Sequence, residues 1–139
     1  MAKKKSAQRR RLASHEARDL DVEIGFLEGL VRRDPAYFDA WLLLGDDYTR
    51  RGRFADGLSA DRHLCELQPK NALAHYNLAC SYALTDQAEL AVRTLGRALD
   101  LGYRDFRWMR RDPDLSNARR HPRFAAIRER IRALEAAVH

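Results

Sequence analysis

Residues 41–48 read WLLLGDDY, and residues 75–82 read HYNLACSY. The two stretches align with an offset of 34 residues and keep the same spacing at four signature positions. These positions are Trp41, Leu44, Gly45 and Tyr48 in the first stretch and His75, Leu78, Ala79 and Tyr82 in the second. A period of this length is typical of stacked helical hairpins, which present a binding surface rather than an active site.

The period continues beyond the signature positions. Four further pairs of apolar or small residues stand 34 positions apart: Leu58 with Val92, Leu64 with Ala98, Leu67 with Leu101, and Gly57 with Ala91. The correspondence weakens at Asp61, which aligns with Leu95. Pro35 stands one period before Pro69, and this indicates half a repeat upstream of the first full one.

The signature resembles the tetratricopeptide repeat family, whose unit begins W-x2-L-G-x2-Y. The first unit carries all four residues, but Gly57 stands where the family has alanine and Asp61 where it has a large apolar residue. The resemblance implies an all-α fold: a short right-handed α-solenoid of antiparallel helix hairpins, with an N-terminal half-repeat and a C-terminal capping helix. The stretch DPDLSNARRHPRFAAI at residues 112–127 resembles the endings of small bacterial members of this family.

Composition and helix-breaking residues divide the chain into a tail and a helical domain. Residues 1–18 are expected to form a basic, disordered tail, because they are dense in Lys and Arg and poor in apolar side chains. Residues 19–139 are expected to form one helical domain. Within it, the period predicts repeats over residues 38–71 and 72–105 and a cap over residues 106–139.

Helical periodicity and capping residues predict the individual helices. They are a first helix capped by Asp19 or Asp21 and ending at Arg33, then Phe38–Arg51, Phe54–Leu67, Ala72–Leu84, Gln87–Leu101, a short helix Asp105–Arg111, a turn over Asp114–Arg119 and a last helix from His121-Pro122 onward. The first helix is expected to present an apolar face of Val22, Ile24, Phe26, Leu27, Leu30 and Val31. The last helix is expected to present Phe124, Ile127, Ile131 and Leu134 on one side.

Charge is distributed unevenly along the chain, whose net charge is +6. Residues 1–18 hold seven basic residues and one acid, residues 19–102 hold nine basic residues and fourteen acids, and residues 103–139 hold ten basic residues and five acids. Two basic ends therefore flank an acidic middle, which suits an acidic protein segment, nucleic acid or only a solvated surface. The phosphate or acidic contacts of the tail would be Lys3, Lys4, Lys5, Arg9, Arg10 and Arg11.

The sequence carries no recognisable catalytic motif. The five histidines are not spaced as metal ligands, and Asp46 and Asp47 are adjacent on a helix, so their carboxylates point apart. Cys65 and Cys80 are expected to be reduced and partly buried. We therefore expect no enzyme, cofactor or metal, no membrane span, and a cytoplasmic setting.

The family resemblance implies where a ligand would lie, because the first helix of each unit lines the concave face of the superhelix. The implied groove residues are Asp39, Leu42, Asp46, Thr49 and Arg50 in the first unit, Leu73, Tyr76, Asn77, Cys80 and Leu84 in the second, and Arg107, Arg110 and Arg111 in the third helix. Such a groove has an acidic end, an amphipathic middle and a basic end. It suits an extended or helical peptide with polarity of its own.

One branch of the family holds acidic C-terminal tails with a carboxylate clamp. Asn77 matches the middle asparagine of that clamp, and Arg107 and Arg111 match its third-helix cations. Leu42 and Asp46 occupy the places of the first lysine and asparagine, which argues against a full clamp. The two arginines could hold a single carboxylate or phosphate, or they could pair with the aspartates around residue 112.

Three functions remain open at this point. The first is a non-enzymatic protein-interaction module, adaptor-like or co-chaperone-like, that binds a peptide in the groove. The second is association with nucleic acid or the ribosome through the basic tail and the Arg-rich C-terminal third. The third is a homo-oligomer or assembly subunit, because a short solenoid has two ends and the N-terminal half-repeat leaves an apolar edge.

Overall fold

The computed structural model describes residues 11–138, which form eight α-helices and one 3₁₀ turn with no strand among them. The elements are α1 (Ser14–Arg33), α2 (Phe38–Arg51), α3 (Phe54–Leu67), α4 (Ala72–Leu84), α5 (Ala88–Asp100), α6 (Phe106–Met109), a 3₁₀ turn (Pro113–Leu115), α7 (Ser116–Arg120) and α8 (Phe124–Val138). Helices α1 to α5 pack against their neighbours in chain order. The predicted all-α, helical-repeat architecture is confirmed.

Helices α2, α3 and α4 have the predicted bounds, and local chemistry explains why. Gly52 ends α2 with a φ of 86°, a left-handed conformation that glycine adopts without steric cost. Asn71 begins α4, where its side-chain oxygen accepts a hydrogen bond from the Ala74 amide at 3.0 Å. The positive φ of Asp86, 59°, turns the chain between α4 and α5.

Helix α1 begins earlier than the sequence predicted. It starts at Ser14, so neither Asp19 nor Asp21 caps it, and residues 14–18 of the predicted tail are helical. The Glu16 carboxylate accepts a hydrogen bond from the Ala13 amide at 3.1 Å and so satisfies a donor at the helix start. The predicted disorder of residues 1–10 lies outside the described residues.

The predicted apolar face of α1 is only partly correct. Ile24, Leu27 and Val31 are buried, and Leu20 is buried with them. Val22 and Phe26 instead point to solvent, because they lie on the opposite side of the helix from this stripe.

Two apolar clusters form the core. One joins α1, α2 and α3 through Ile24, Leu27, Val31, Ala40, Leu44, Tyr48 and Ala60. The other joins α4 and α5 to the C-terminal elements through residues that include Tyr76, Leu95, Leu99, Met109, Leu115, Phe124 and Ile131. Each helical hairpin therefore buries its apolar stripe against the next element of the stack.

The 34-residue period reappears in the hydrogen bonds. The indole Nε1 of Trp41 donates to the Pro35 carbonyl oxygen at 2.9 Å. One period later, Nε2 of His75 lies 2.9 Å from the Pro69 carbonyl oxygen. Histidine thus replaces tryptophan at the signature position and still reaches the equivalent proline carbonyl. Trp41 also contacts the His63 ring, with centroids 4.4 Å apart.

Small residues allow α2 and α3 to pack closely against each other. A Cβ added to Gly45 would lie 3.5 Å from the Ala60 Cβ and 3.1 Å from an Asp61 carboxylate oxygen. A Cβ added to Gly57 would lie 3.0 Å from the Thr49 hydroxyl. Asp61 is buried, and it accepts a hydrogen bond from the Ser81 hydroxyl on α4. This bond explains how a carboxylate occupies a position where the repeat favours an apolar side chain.

The C-terminal elements close the far end of the stack. Helix α6 ends at Met109, two residues before the predicted end, and α8 begins at Phe124 rather than at His121-Pro122. Phe124, Ile127 and Ile131 are buried as predicted, and Leu134 packs beside them. Trp108 packs against this cluster and Met109 is inside it, so both residues help to close the cap.

Candidate functional site

The predicted groove residues fall into an accessible group and a buried group. The accessible members, at least partly exposed, are Asp39, Leu42, Asp46 and Arg50 on α2, Leu73 and Leu84 on α4, and Arg107 and Arg111 around α6. They comprise two aspartates, a leucine and an arginine on α2, two leucines on α4, and two arginines around α6. This accessible group can contact a ligand without rearrangement of the core.

The expectation that Thr49, Tyr76 and Cys80 face a ligand is wrong. All three are buried. The Thr49 hydroxyl donates to the Gly45 carbonyl oxygen at 3.1 Å, one turn back in the same helix. Asn77 is also buried, so only a small part of its side chain is accessible.

Tyr76 and Cys80 belong to a buried polar cluster that fastens the cap to α4. The Tyr76 hydroxyl donates to Asp112 Oδ2 at 2.6 Å, and the Cys80 thiol lies 3.6 Å from the same oxygen. The Tyr76 ring stacks on Tyr103, with centroids 4.2 Å apart and planes 4° apart. Burial, followed by the nearby Cys80 and Asp112, raises the pKa of Tyr76 far above its ordinary value, so the hydroxyl keeps its proton.

Asp112 also shapes the local backbone. Its other oxygen, Oδ1, accepts a hydrogen bond from the Asp114 amide at 3.0 Å and begins the 3₁₀ turn. The carboxylate is fully buried, whereas Arg107 and Arg111 are exposed. The Asp112 carboxylate therefore takes part in packing the cap, and both arginines lie on the surface.

The three predicted groove arginines have different surroundings. Arg110 forms two hydrogen bonds with Glu135 on α8, at 2.6 and 3.1 Å, so it joins the cap and leaves the groove. Arg107 and Arg111 are exposed, and within residues 11–138 the structure gives neither guanidinium an ion-pair partner. They form the basic end of the accessible surface.

Other C-terminal arginines also hold the cap together. Arg119 donates to the Met109 carbonyl oxygen at 3.0 Å, and Arg128 lies over the Phe124 ring at 4.9 Å. Arg130 contacts Asp100 on α5 at 2.8 Å. Much of the positive charge of the C-terminal third, which the sequence suggested as a contact for nucleic acid, therefore takes part in packing.

The acidic end contains a feature that the sequence analysis missed. A pocket opens beside α1 and the end of α2, lined by Glu16, Asp19, Leu20, Glu23 and Arg50. Next to it, Asp47 is buried, with the Arg50 guanidinium 4.0 Å from its carboxylate. Burial, and then the neighbouring Glu23 carboxyl, raise the pKa of Asp47 from its ordinary 3.8 to about 8. Sequence spacing gave no signal for this pair, because the two carboxyls come from different helices.

Comparisons with known proteins point to receptors. Over 95 residues the chain is 36% identical to a peroxisomal targeting signal receptor of Komagataella phaffii, a match that covers 67% of this chain and 16% of that receptor. The receptor of Candida albicans is 37% identical over 76 residues, which are 55% of this chain and 13% of the receptor. A chloroplastic protein of Arabidopsis thaliana is 30% identical over 83 residues, 58% of this chain and 25% of that protein.

These matches cover only part of each relative. The chain spans 16% of the length of the first receptor and 25% of the chloroplastic protein. No protein-family model matches the chain. The similarity to targeting signal receptors agrees with the paired helices, and both are consistent with tetratricopeptide-like repeats.

The described residues show little else that would carry chemistry. Between residues 11 and 138, no cluster of three or more His, Cys, Asp or Glu side chains could hold a metal ion. In the same part of the chain, no helix combines the length and the apolar character that crossing a bilayer requires. Cys65 and Cys80 do not form a disulfide with each other.

Replacing Asp47 with asparagine tests the buried carboxyl. Because the pKa of Asp47 is raised in the folded state, the folded protein favours the protonated carboxyl. The stability that this protonation contributes at low pH is lost as pH rises through about 8. We expect Asp47→Asn to gain stability relative to the wild type as pH rises from 5 to 8, by at most about 1.4 kcal/mol per pH unit. Urea unfolding followed by circular dichroism at each pH measures this difference.

Asp39→Asn is the matched control for that experiment, because Asp39 lies exposed on the same helix. Its difference from the wild type should stay constant over the same pH range. A difference for Asp47→Asn that is equally constant would contradict the raised pKa.

Replacing Tyr76 with phenylalanine tests the bond between α4 and the cap. The change removes the hydroxyl that donates to the buried Asp112 carboxylate, which should cost about 1–3 kcal/mol of unfolding free energy. Tyr37→Phe, at an exposed tyrosine, should leave the urea midpoint unchanged. Equal midpoints for the two variants would show that the Tyr76 bond adds nothing to stability.

Proposed function

We propose that this chain is a non-enzymatic protein-interaction module of the tetratricopeptide type, which binds a peptide segment along α2, α4 and the start of α6. The observation that carries the proposal is the accessible row of groove positions on consecutive first helices of the repeats. Asp39 and Asp46 lie on α2, leucines lie on both α2 and α4, and Arg107 and Arg111 lie around α6. The surface is long and polar at both ends, as suits an extended or helical segment.

The charges along the row suggest the polarity of the ligand. Asp39 and Asp46 favour a basic side chain at the α2 end, and the acid-lined pocket beside Arg50 extends that preference. Leu42 and Leu73 offer apolar contacts in the middle. Arg107 and Arg111 favour a carboxylate or phosphate at the other end, because guanidinium groups bind such anions with two hydrogen bonds.

The relatives support a peptide ligand by their names alone. A targeting signal receptor, by its name, recognises a targeting signal, and this chain is similar to 16% of the length of one such receptor. By analogy, we propose that the chain recognises a short segment of a partner protein in an adaptor-like or co-chaperone-like role. The cytoplasmic setting remains a prediction from the sequence.

Selection of peptides from a random displayed library, followed by fluorescence anisotropy, tests the proposal. We expect enriched peptides to carry a basic and an acidic end separated by apolar residues. Arg111→Ala and Asp46→Ala should each weaken binding by about five- to tenfold, the effect of one exposed charged contact. The helix content of both variants should match the wild type.

Arg93→Ala is the control, because Arg93 is exposed on α5, outside the groove. It should leave peptide affinity unchanged. The groove would not be the binding site if no peptide were enriched. The same conclusion would follow if Arg111→Ala, Asp46→Ala and Arg93→Ala bound the peptide with equal affinity.

Binding of nucleic acid remains a second candidate, favoured by the six cations among residues 1–11 and the lack of acids there. We expect a gel shift that weakens steeply with salt, because several phosphates would be neutralised at once. Replacing Lys3, Lys4 and Lys5 with glutamine should abolish most of the shift, whereas Arg111→Ala should not change it. A chain that shifts no RNA or DNA at low salt would exclude this candidate.

A further inference from the structure

Helix α1 carries a stripe of largely exposed residues, with two apolar side chains at its centre, on the side that faces away from the core. Val22 is 74% exposed and Phe26 is 64% exposed, the largest values among apolar residues of this helix. The stripe continues in both directions at alternating spacings of four and three residues, the spacing of helices that pack side by side. Its members are His15, Asp19, Val22, Phe26, Gly29 and Arg33, and we call them the outer stripe of α1.

The repeat explains why this stripe is open. Phe26 stands one period before Ala60, which is 1% exposed on α3. Ala60 is covered because α2, the preceding helix, lies against it at Gly45. Within residues 11–138 no helix precedes α1, so the equivalent side of α1 faces solvent. The missing neighbour of Phe26 is thus an antiparallel helix.

The backbone of α1 is accessible to such a helix. A Cβ added to Gly25 would meet no atom within 4 Å, and one added to Gly29 would meet only the end of the Arg32 side chain, at 3.8 Å. Glycines on an exposed helix face allow a second helix to approach closely. They cost helix stability in return, which makes two of them beside an exposed phenylalanine unusual for a solvated surface.

The charges of the outer stripe are complementary to themselves. Asp19 lies before the apolar residues and Arg33 lies after them. In an antiparallel pair centred on Phe26, Val22 would lie over the partner's Gly29 and Asp19 would face the partner's Arg33. One two-fold contact then forms two contacts of Val22 with Gly29, two ion pairs and a central pair of phenylalanine rings.

We propose that the outer stripe of α1 is a homodimer interface, covered in solution by α1 of a second copy in antiparallel orientation. The self-complementary charge favours a second copy over an unrelated partner. Residues 1–10 are a poor alternative, because one methionine and two alanines are their only apolar residues. The interface lies on α1, whereas the peptide groove lies on α2, α4 and the start of α6. Asp19 is the one residue of the outer stripe that also lines the acidic pocket.

Sedimentation velocity on the full chain, from low micromolar to several hundred micromolar, tests this interface. We expect the wild type to pass from monomer to dimer within that range. Phe26→Asp should raise the dimer dissociation constant at least tenfold, while circular dichroism shows unchanged helix content. Leu43→Asp is the matched control, since Leu43 is 55% exposed on α2, and it should dimerise like the wild type.

A charge exchange makes the test specific for the antiparallel register. Asp19→Arg and Arg33→Asp should each weaken the dimer, because like charges would then face each other. The double variant carrying both changes should regain dimerisation, since each pair is restored with reversed sign. Dimerisation of the double variant no stronger than that of the single variants would overturn the antiparallel arrangement.

A wild type that stays monomeric throughout would overturn the interface itself. Dimerisation unaffected by Phe26→Asp would do the same. Peptide affinity measured on Phe26→Asp, a residue outside the acidic pocket, keeps the two proposals separate. A monomer that still binds peptide rejects only the dimer, and a dimer that binds no peptide rejects only the groove.

Discussion

Each helix of this protein can bury its apolar stripe only against the helix next to it in the stack, and the rest of the structure depends on that constraint. The constraint is met where Gly45, Gly57 and Ala60 let α2 and α3 approach closely. It is met again where Ala79, Ala91 and other small residues join α4 to α5. A buried carboxylate, Asp61, is tolerated between the two hairpins because the Ser81 hydroxyl satisfies it.

A stack held together in this way must cover its ends. At the C-terminal end, three short helical segments and α8 cover α4 and α5, and the Tyr76–Asp112 hydrogen bond fastens them. This closure uses side chains that a repeat pattern alone assigns to a ligand, namely Tyr76, Cys80 and Arg110. At the N-terminal end no such closure is present in the described residues, and Phe26 is left on the surface. The C-terminal end of the stack is therefore covered, whereas the N-terminal end is open within the described residues.

The accessible surface follows from the same arrangement. Because α1, α3 and the cap occupy the remaining sides of α2 and α4, the residues left open on these two helices include six of the predicted groove positions. The acidic end gains a property from tertiary contact alone: Asp47 and Glu23 are brought together from two helices, and the pKa of Asp47 rises to about 8.

The sequence alone determined the helices, their order and their pairing. Periodic apolar residues, Gly52 and Asn71 act locally or at a fixed period, so their effect can be worked out along the chain. Only the tertiary structure decided which groove positions stay open and what Tyr76, Asp112 and Arg110 contact. These features depend on residues that are distant in sequence, such as Tyr76 and Asp112, whose 36-residue separation belongs to no repeat. The 34-residue period predicts how neighbouring repeats pack against each other. It does not predict which residues are buried at either end of the stack, because that burial depends on the elements that pack there.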